Sequence, residues 1–444
     1  MFNRPRGTQD ILPADQPYWD FVRATAAKVA AESGYGRIET PMFEATSLFQ
    51  RGVGDETDIV QKEMYSFEDM GGDLVTLRPE GTASVCRAYI EHGMQNLPQP
   101  VRQFYIAPMF RYERPQAGRL RQHHQFGVEA IGDASAAVDA EVIELGWRYL
   151  SSLGLSGFTL RLNSLADPEE RKPYLGRLHD YFSQYASSLP KVDLARLERA
   201  PLRLLDSKEP ETQKIAAEAP TSLEYLGDES RAHWEGLLSL LDGLKSVYPD
   251  FSYSVDHRLV RGLDYYNRTV FEFEPLGAGG QSTMLAGGRY DPLIAILGGP
   301  QTPGIGFGSG IERIINELRA QEVPVPQPEP LTAVVVSVGT EPRRRAFVLA
   351  AELRRNGLAV ALAPDRSFKA QMRYADKRNS PCVVIQGSNE HERGTVVVKD
   401  LVEGKKLSSM IGSNQEWRGS RNAQSEIQMG DLVSGVEDVI GRHR

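Results

Sequence analysis

The sequence predicts an α+β protein: a core built on an antiparallel sheet with flanking helices and a mostly helical insertion, followed by a smaller α/β domain. Three observations predict it. Residues 104–132 read as two alternating arms joined by a polar turn, residues from about 165 to 251 lose strand character, and strands alternate with helices beyond a proline-rich stretch at 323–330. At 444 residues the chain is too long for a single core, so two or three domains are expected. We place the first at 1–325, with its insertion, and the last at 326–444.

After an arginine-bearing arm, Tyr18, Val22, Ala26 and Val29 recur at helical spacing until Gly34, with Asp15 placed to cap the helix. The stretch GYGRIETPMFE, residues 34–44, reads as a short strand halted by Pro41. Leu74 to Arg78 is strand-like and runs through RPEGT, residues 78–82, into a helix beginning near Ala83. Read from the residues alone, Thr82 caps that helix; the other reading has Glu80 and Thr82 accept hydrogen bonds from an ammonium group.

Residues 104–132 form the hairpin. Phe104, Ile106, Phe110, Phe126, Val128 and Ala130 fall on a greasy side, and Arg111, Glu113, Gln125 and Glu129 on a charged one. Such a face is either solvated or used for directed hydrogen bonding. The connecting loop, Arg114 to Arg121, holds three arginines, which suits phosphate contact.

Residues 165–251 predict an inserted, mostly helical subdomain. Strand-like text returns as SVDHRLVRGLDYYNRTVFEFE from Ser254, then a glycine-rich turn at 277–280 and a second arm ending in AGGRYD. Arg261 can fork onto carboxylate or phosphate, while Tyr265, Tyr266 and Tyr290 offer flat walls with hydroxyl tips; a solvated arginine over core tyrosines is the bland alternative. Further on, Gly304, Gly306, Gly308 and Gly310 stand at strict two-residue spacing before a helix that carries Arg313 in its first turn. Four glycines in register strip one strand face at a cost of about 0.5–1 kcal/mol each. A flat group such as a nucleobase, or another strand packed closely, would offset it.

Residues 333–399 alternate strand and helix and predict the small α/β domain. No run of eighteen apolar residues exists and the first ten residues lack a signal-peptide core, so no membrane span and a cytoplasmic location are expected. Cys86 and Cys382 predict buried thiols. Residues 331–444 carry 18 Lys plus Arg against 13 Asp plus Glu, while the rest carries 33 against 46. A basic end on an acidic body is compatible with a polyanion touching that end. His123 and His124, as neighbours in a strand, point to opposite faces and make a poor pair of metal ligands.

The run FRYERPQAGRLRQHHQFGVE resembles motif 2 of class II aminoacyl-tRNA synthetases in the form used by histidyl-tRNA synthetases, and RGLDYY and GGRYD are similar to that family's signatures. Residues 34–44 and the glycine strip resemble its motifs 1 and 3, and residues 326–444 its anticodon-binding domain. The resemblance implies that the chain activates L-histidine with ATP and passes it to histidine tRNA. It implies Arg111 and Arg261 as the catalytic cations. It implies Glu80, Gly81, Thr82 and Gln125 around the α-ammonium, with Glu129, Tyr265, Tyr266 and Tyr290 around the rest of the amino acid. It assigns ATP to Arg111, Glu113, Arg119, Arg313 and the four glycines, and the tRNA acceptor end to Gln116 and Arg119. Mg²⁺ accompanies the triphosphate, with Glu113 as ligand or water holder, and motif 1 implies a homodimer. The alternative is the histidine-sensing regulatory subunit of ATP phosphoribosyltransferase, which shares the core but lacks the anticodon-binding domain.

Overall fold

A computed structural model describes residues 2–54, 57, 59–113, 120–276, 283–328, 331–338, 341–410 and 423–443, with the side chains of 408–410 left aside. The chain divides into two units, Met1–Pro326 and Gln327–Arg444.

The first unit begins with helix α1 (Gln16–Glu32), whose Trp19, Val22, Ala26 and Val29 are buried. Its predicted cap does not form: the Asp15 side chain makes no capping bond and instead accepts from Arg319 at 2.7 Å. Residues 34–44 do not make one strand. Gly36–Arg37 (β1) pairs parallel with the hairpin, whereas Phe43–Ala45 (β2) joins a three-stranded sheet with Tyr65–Glu68 (β3) and Leu74–Leu77 (β4). Pro41, with no N–H to donate, stands between them.

The hairpin itself is Val101–Phe110 (β5) and Gln122–Ile131 (β6). Five more strands follow: Phe158–Ser164 (β7), Tyr253–Val255 (β8), Asn267–Pro275 (β9), Leu285–Arg289 (β10) and Gly304–Gly310 (β11). They complete an eight-stranded sheet in the order β1-β5-β6-β11-β10-β9-β7-β8, antiparallel except at its two edges. The text from Ser254 to Glu274 is therefore not one strand. Residues 256–266, which include RGLDYY, leave the sheet as irregular chain.

The sheet's two faces differ by the period of two. Phe126, Val128, Ala130, Phe271, Phe273, Ile305 and Phe307 share one core with α1 and with helix α4 (Ala136–Ser152). Rings meet edge to face there, Phe126 and Phe307 at 5.5 Å. Burying each such side chain contributes about 1.5–3 kcal/mol. The opposite face carries Tyr105, Glu129 and the glycines, and it is where the first helices of the insertion attach, whereas its last helix joins the first core through Trp234, Leu237 and Leu241.

That insertion holds Pro168–Ser183, Lys191–Arg199, Pro210–Ala216 and Asp228–Leu244 as helices. The charged face, read as either solvated or used for directed hydrogen bonding, is enclosed, with Tyr105 and Met109 in a second core alongside Leu178, Phe182 and Leu204 of the insertion.

The second unit has a five-stranded sheet: Ala333–Ser337 (β12), Val360–Leu362 (β13), Cys382–Gln386 (β14), Thr395–Asp400 (β15) and Gln424–Gln428 (β16), ordered β13-β12-β14-β15-β16. Residues 411–422, before the last strand, lie outside the described residues. Cys86 and Cys382 are buried free thiols. Among the described residues no helix is long and apolar enough to cross a membrane.

Candidate active site

Helix α3 (Thr82–Glu91) opens the site. Its N-terminal amides need acceptors, and Glu80 supplies them: its carboxylate accepts from Thr82 N at 2.7 Å and Ala83 N at 2.9 Å. Glu80 is thus the cap, not Thr82. The freed Thr82 hydroxyl donates at 2.8 Å to Glu129 on β6, whose other oxygen accepts from the Tyr290 hydroxyl at 2.6 Å. Burial pushes both acids up; Glu129, which also faces Glu80, is raised to about 8. Two buried acids at one corner favour a ligand that brings hydrogen-bond donors or positive charge.

The arginines face that corner. Arg111 lies one residue beyond the end of β5, with its Nε donating to the Pro79 carbonyl at 2.8 Å. Arg261, on the irregular chain before β9, is paired with Glu272 and lies 5.9 Å from the Tyr266 ring centre. The Tyr265 and Tyr266 rings are 4.7 Å apart, and Tyr290 meets Tyr265 at 5.9 Å. Glu80, Thr82, Gln125, Arg111, Arg261, the three tyrosines, Gly306 and Gly308 all line one cavity of about 60 Å³. A larger cavity of about 340 Å³ shares Arg111, Gln125, Arg261 and Gly308 with it, and adds Glu113, His123, Gly310 and Arg313. Arg313 donates there to the Thr283 carbonyl at 2.8 Å. Burial and the nearby Arg111 hold the His123 imidazole down at about 3, so it is neutral.

The glycine strip is not bare along its length. A Cβ at Gly304 would lie 2.4 Å from the Tyr290 ring, at Gly306 2.1 Å from a Glu129 oxygen, and at Gly308 2.0 Å from the Gln125 amide. The register places two of these neighbours, since Gly306 pairs with Glu129 and Gly308 with Gly127, two residues from Gln125. The missing side chains make room for those that form the small cavity. Open strip remains at Gly310, in the larger cavity, where a Cβ would meet nothing closer than 3.8 Å. Of the strip expected to face a flat group along its whole length, only the Gly310 end is open.

Gln116, Arg119 and the turn at 277–280 lie outside the described residues. Gly81 opens α3, directly under Tyr105, whose ring a Cβ at Gly81 would overlap at 2.3 Å. Sequence reading missed Tyr105, which walls the small cavity, and Asp206, an acid from the helical insertion that lines the larger one. The period of two put Tyr105 on the same side as Arg111 and was the available signal. Nothing local marks Asp206. Also missed is Arg289 of GGRYD, fully buried and bonded to Asp139, Asp291 and the carbonyls of Asp133 and Ser135. It holds the segment bearing Tyr290. His124 bonds Glu312 at 2.9 Å.

A family model described as histidyl-tRNA synthetase matches residues 7–167 and 183–314, and one described as anticodon binding domain matches 332–414. The histidine–tRNA ligase of Dehalococcoides mccartyi is 49% identical over 405 residues, 91% of this chain and 96% of that protein. That of Geobacillus thermodenitrificans is 44% identical over 429 residues, 96% and 100%. The crystal structure of apo S. aureus histidyl-tRNA synthetase superposes with a TM-score of 0.77 at 34% identity, covering 98% of this chain and all of that one. A Bacillus halodurans structure titled ATP phosphoribosyltransferase regulatory subunit/histidyl-tRNA synthetase shares the fold at 23% identity, with a TM-score of 0.63 over 87% of this chain.

Proposed function

The chain belongs to the histidyl-tRNA synthetase family and is a histidine–tRNA ligase that uses ATP, and we propose that the two joined cavities are where histidine and ATP react. The observation that carries this is the convergence of Arg111, Arg261 and Gly306 on one cavity that Glu80 and Thr82 also line, with Glu129 bonded behind Thr82. An acid corner opposite a pair of arginines suits a zwitterion. The ammonium lies toward Glu80, Thr82 and Gln125, the imidazole toward Glu129 and Tyr266, and the carboxylate toward the arginines. The nucleotide takes the larger cavity, with its base at Gly310 and its phosphates at Arg313.

In this reading a histidine carboxylate oxygen attacks the α-phosphorus of ATP. The new oxygen–phosphorus bond forms as the bond to pyrophosphate breaks, giving histidyl-adenylate. A ribose hydroxyl of the tRNA's terminal nucleotide then attacks the carbonyl, and AMP leaves. The first step brings two anions together, so catalysis rests on positioning and on cations aimed at the growing charge. Arg111 and Arg261, each held by its own partner, supply them without a side-chain nucleophile. Mg²⁺ normally keeps several waters and takes one or two carboxylates plus phosphate oxygens. Glu113, lining the larger cavity with Arg313, fits that role, and the ion would neutralise triphosphate charge there.

We further propose that residues 327–444 meet the tRNA anticodon, supported by their match over 332–414. The same stretch disfavours the regulatory-subunit reading, whose family lacks such a domain. A cytoplasmic homodimer completes the proposal. Its support is the run of exposed Met42, Phe43, Phe67, Met70 and Leu74 on and beside the small sheet, an apolar surface of the kind that marks an interface. Pyrophosphate exchange screened across the twenty amino acids tests the function: histidine alone should support it, and exchange with another amino acid instead would end this reading. Cutting the chain after Pro326 should spare exchange while weakening aminoacylation, and equal loss of both would make the second unit part of the active site.

A further inference from the structure

We infer that the arm before α1 is part of the catalytic apparatus, with Gly7 as a positioning residue that fixes the stem carrying Arg111 and Glu113. The two hairpin strands end at Phe110 and Gln122, so residues 111–113 and 121 lie beyond the regular ladder. One further bond, from Arg111 N to the Arg121 carbonyl at 2.9 Å, extends it. The arm takes over from there. Thr8 bonds the Pro5 carbonyl through both its amide, at 3.2 Å, and its hydroxyl, at 2.8 Å, closing a turn. That turn aims the Gly7 carbonyl at Arg121, whose N–H donates to it at 2.7 Å.

Arg121 passes the restraint on. Its Nε donates to the Glu113 carbonyl at 3.3 Å, and its guanidinium lies 3.8 Å from the centre of the Tyr112 ring. Tyr112 is held from a third side by its own N–H, which donates to the Glu63 carbonyl at 2.7 Å. Each of residues 111, 112 and 113 therefore touches Arg121, and Arg121 touches Gly7. The position admits no side chain for two independent reasons. Its φ of +83° is left-handed, and a Cβ would sit 2.7 Å from the Arg121 Cγ. No residue of this arm lines the two catalytic cavities, so it acts through the stem.

This rests on the reading of the larger cavity as the nucleotide site. The test uses the full-length chain, with Gly7→Ala and Arg121→Ala assayed for histidine-dependent pyrophosphate exchange and for histidine binding by calorimetry. Displacing a catalytic cation by about 1 Å costs on the order of 10²-fold, so each variant should raise the KM for ATP or lower kcat by about 10-fold or more. Histidine affinity, which rests on the Glu80 and Glu129 end as well as on Arg111, should fall by clearly less than the loss in exchange. Arg121→Lys, which keeps the aliphatic stem and the charge, should recover part of the loss. The double variant should fall short of the product of the two single losses, because both act on one contact. Unchanged exchange in both single variants would overturn the inference, and so would histidine affinity falling in parallel with ATP use, the mark of general structural damage. Should Gly7→Ala fail to fold, Arg121→Ala alone decides. A wild-type chain without exchange is a different failure: it removes the reading of the site, and this inference with it.

Discussion

The two sheets of this chain treat their faces in opposite ways. In the second unit both faces of the sheet are aliphatic: Ala333, Val335, Val384 and Val398 enter one core, Val334, Val336 and Val383 the other. In the first unit one face is filled with Phe126, Val128, Phe271, Phe273, Ile305 and Phe307. The other places Glu129, Gln125, Glu272 and four glycines where side chains of that kind would otherwise pack. A buried acid without full compensation costs stability, and so does glycine within a strand. A sheet that accepts both, on one face, for several strands in register, fits the ligand site proposed for that face. The valine-rich sheet is built to pack.

The contrast predicts different failures on the two sides of one strand. Phe307→Ala, on the packed face of β11, should cost about 3–5 kcal/mol of stability by leaving a cavity among Phe126 and its neighbours. Denaturant unfolding reads this, and a loss under 1 kcal/mol would mean that the face is not close-packed. Arg261→Ala, on the ligand side, should remain folded yet cut histidine-dependent exchange by about 10² or more. Near-normal exchange in that variant would end the role proposed for Arg261.

Glu129→Gln should separate the faces by pH. The folded chain holds the Glu129 proton up to about 8, whereas the unfolded chain releases it near 4.5, so native stability falls as pH rises through that window and stays lower above it. The variant lacks this fall, so its melting temperature should gain on wild type between about pH 5 and 9. Parallel curves would show that burial does not hold the proton. Its histidine affinity should drop by about 10-fold or more, as expected when a buried hydrogen-bond partner of the ligand is altered. The smallest effect belongs far from either face. Asp15→Ala should change stability by at most about 1 kcal/mol, since the exposed pair with Arg319 is what it loses. A loss nearer 2 kcal/mol would mean that Asp15 caps α1 after all.

Some of this was legible in the residues. The period of two in β6 and β11 sorts Phe126 and Phe307 from Glu129 and Gly306, because alternation is a property of any extended chain. RGLDYY, GGRYD and the hairpin run pointed to the same set of side chains. Their partners were not legible. Glu80 rather than Thr82 caps α3 because Thr82 is claimed by Glu129, 47 residues further on. Asp15 fails to cap α1 because Arg319, 304 residues away, takes its carboxylate. RGLDYY leaves the sheet because Arg203, from the insertion, holds Gly262 and Asp264.

The sequence by itself determined which side of each strand a residue occupies, and which residues bring charge, rings or nothing at all. Tertiary structure alone decided that the polar side is enclosed, that the glycines are filled by Tyr290, Glu129 and Gln125, and that Glu129 keeps its proton. The physical reason is one of range. Side-chain direction follows from backbone geometry within two residues, whereas burial, protonation and hydrogen-bond partners depend on segments that only folding brings together.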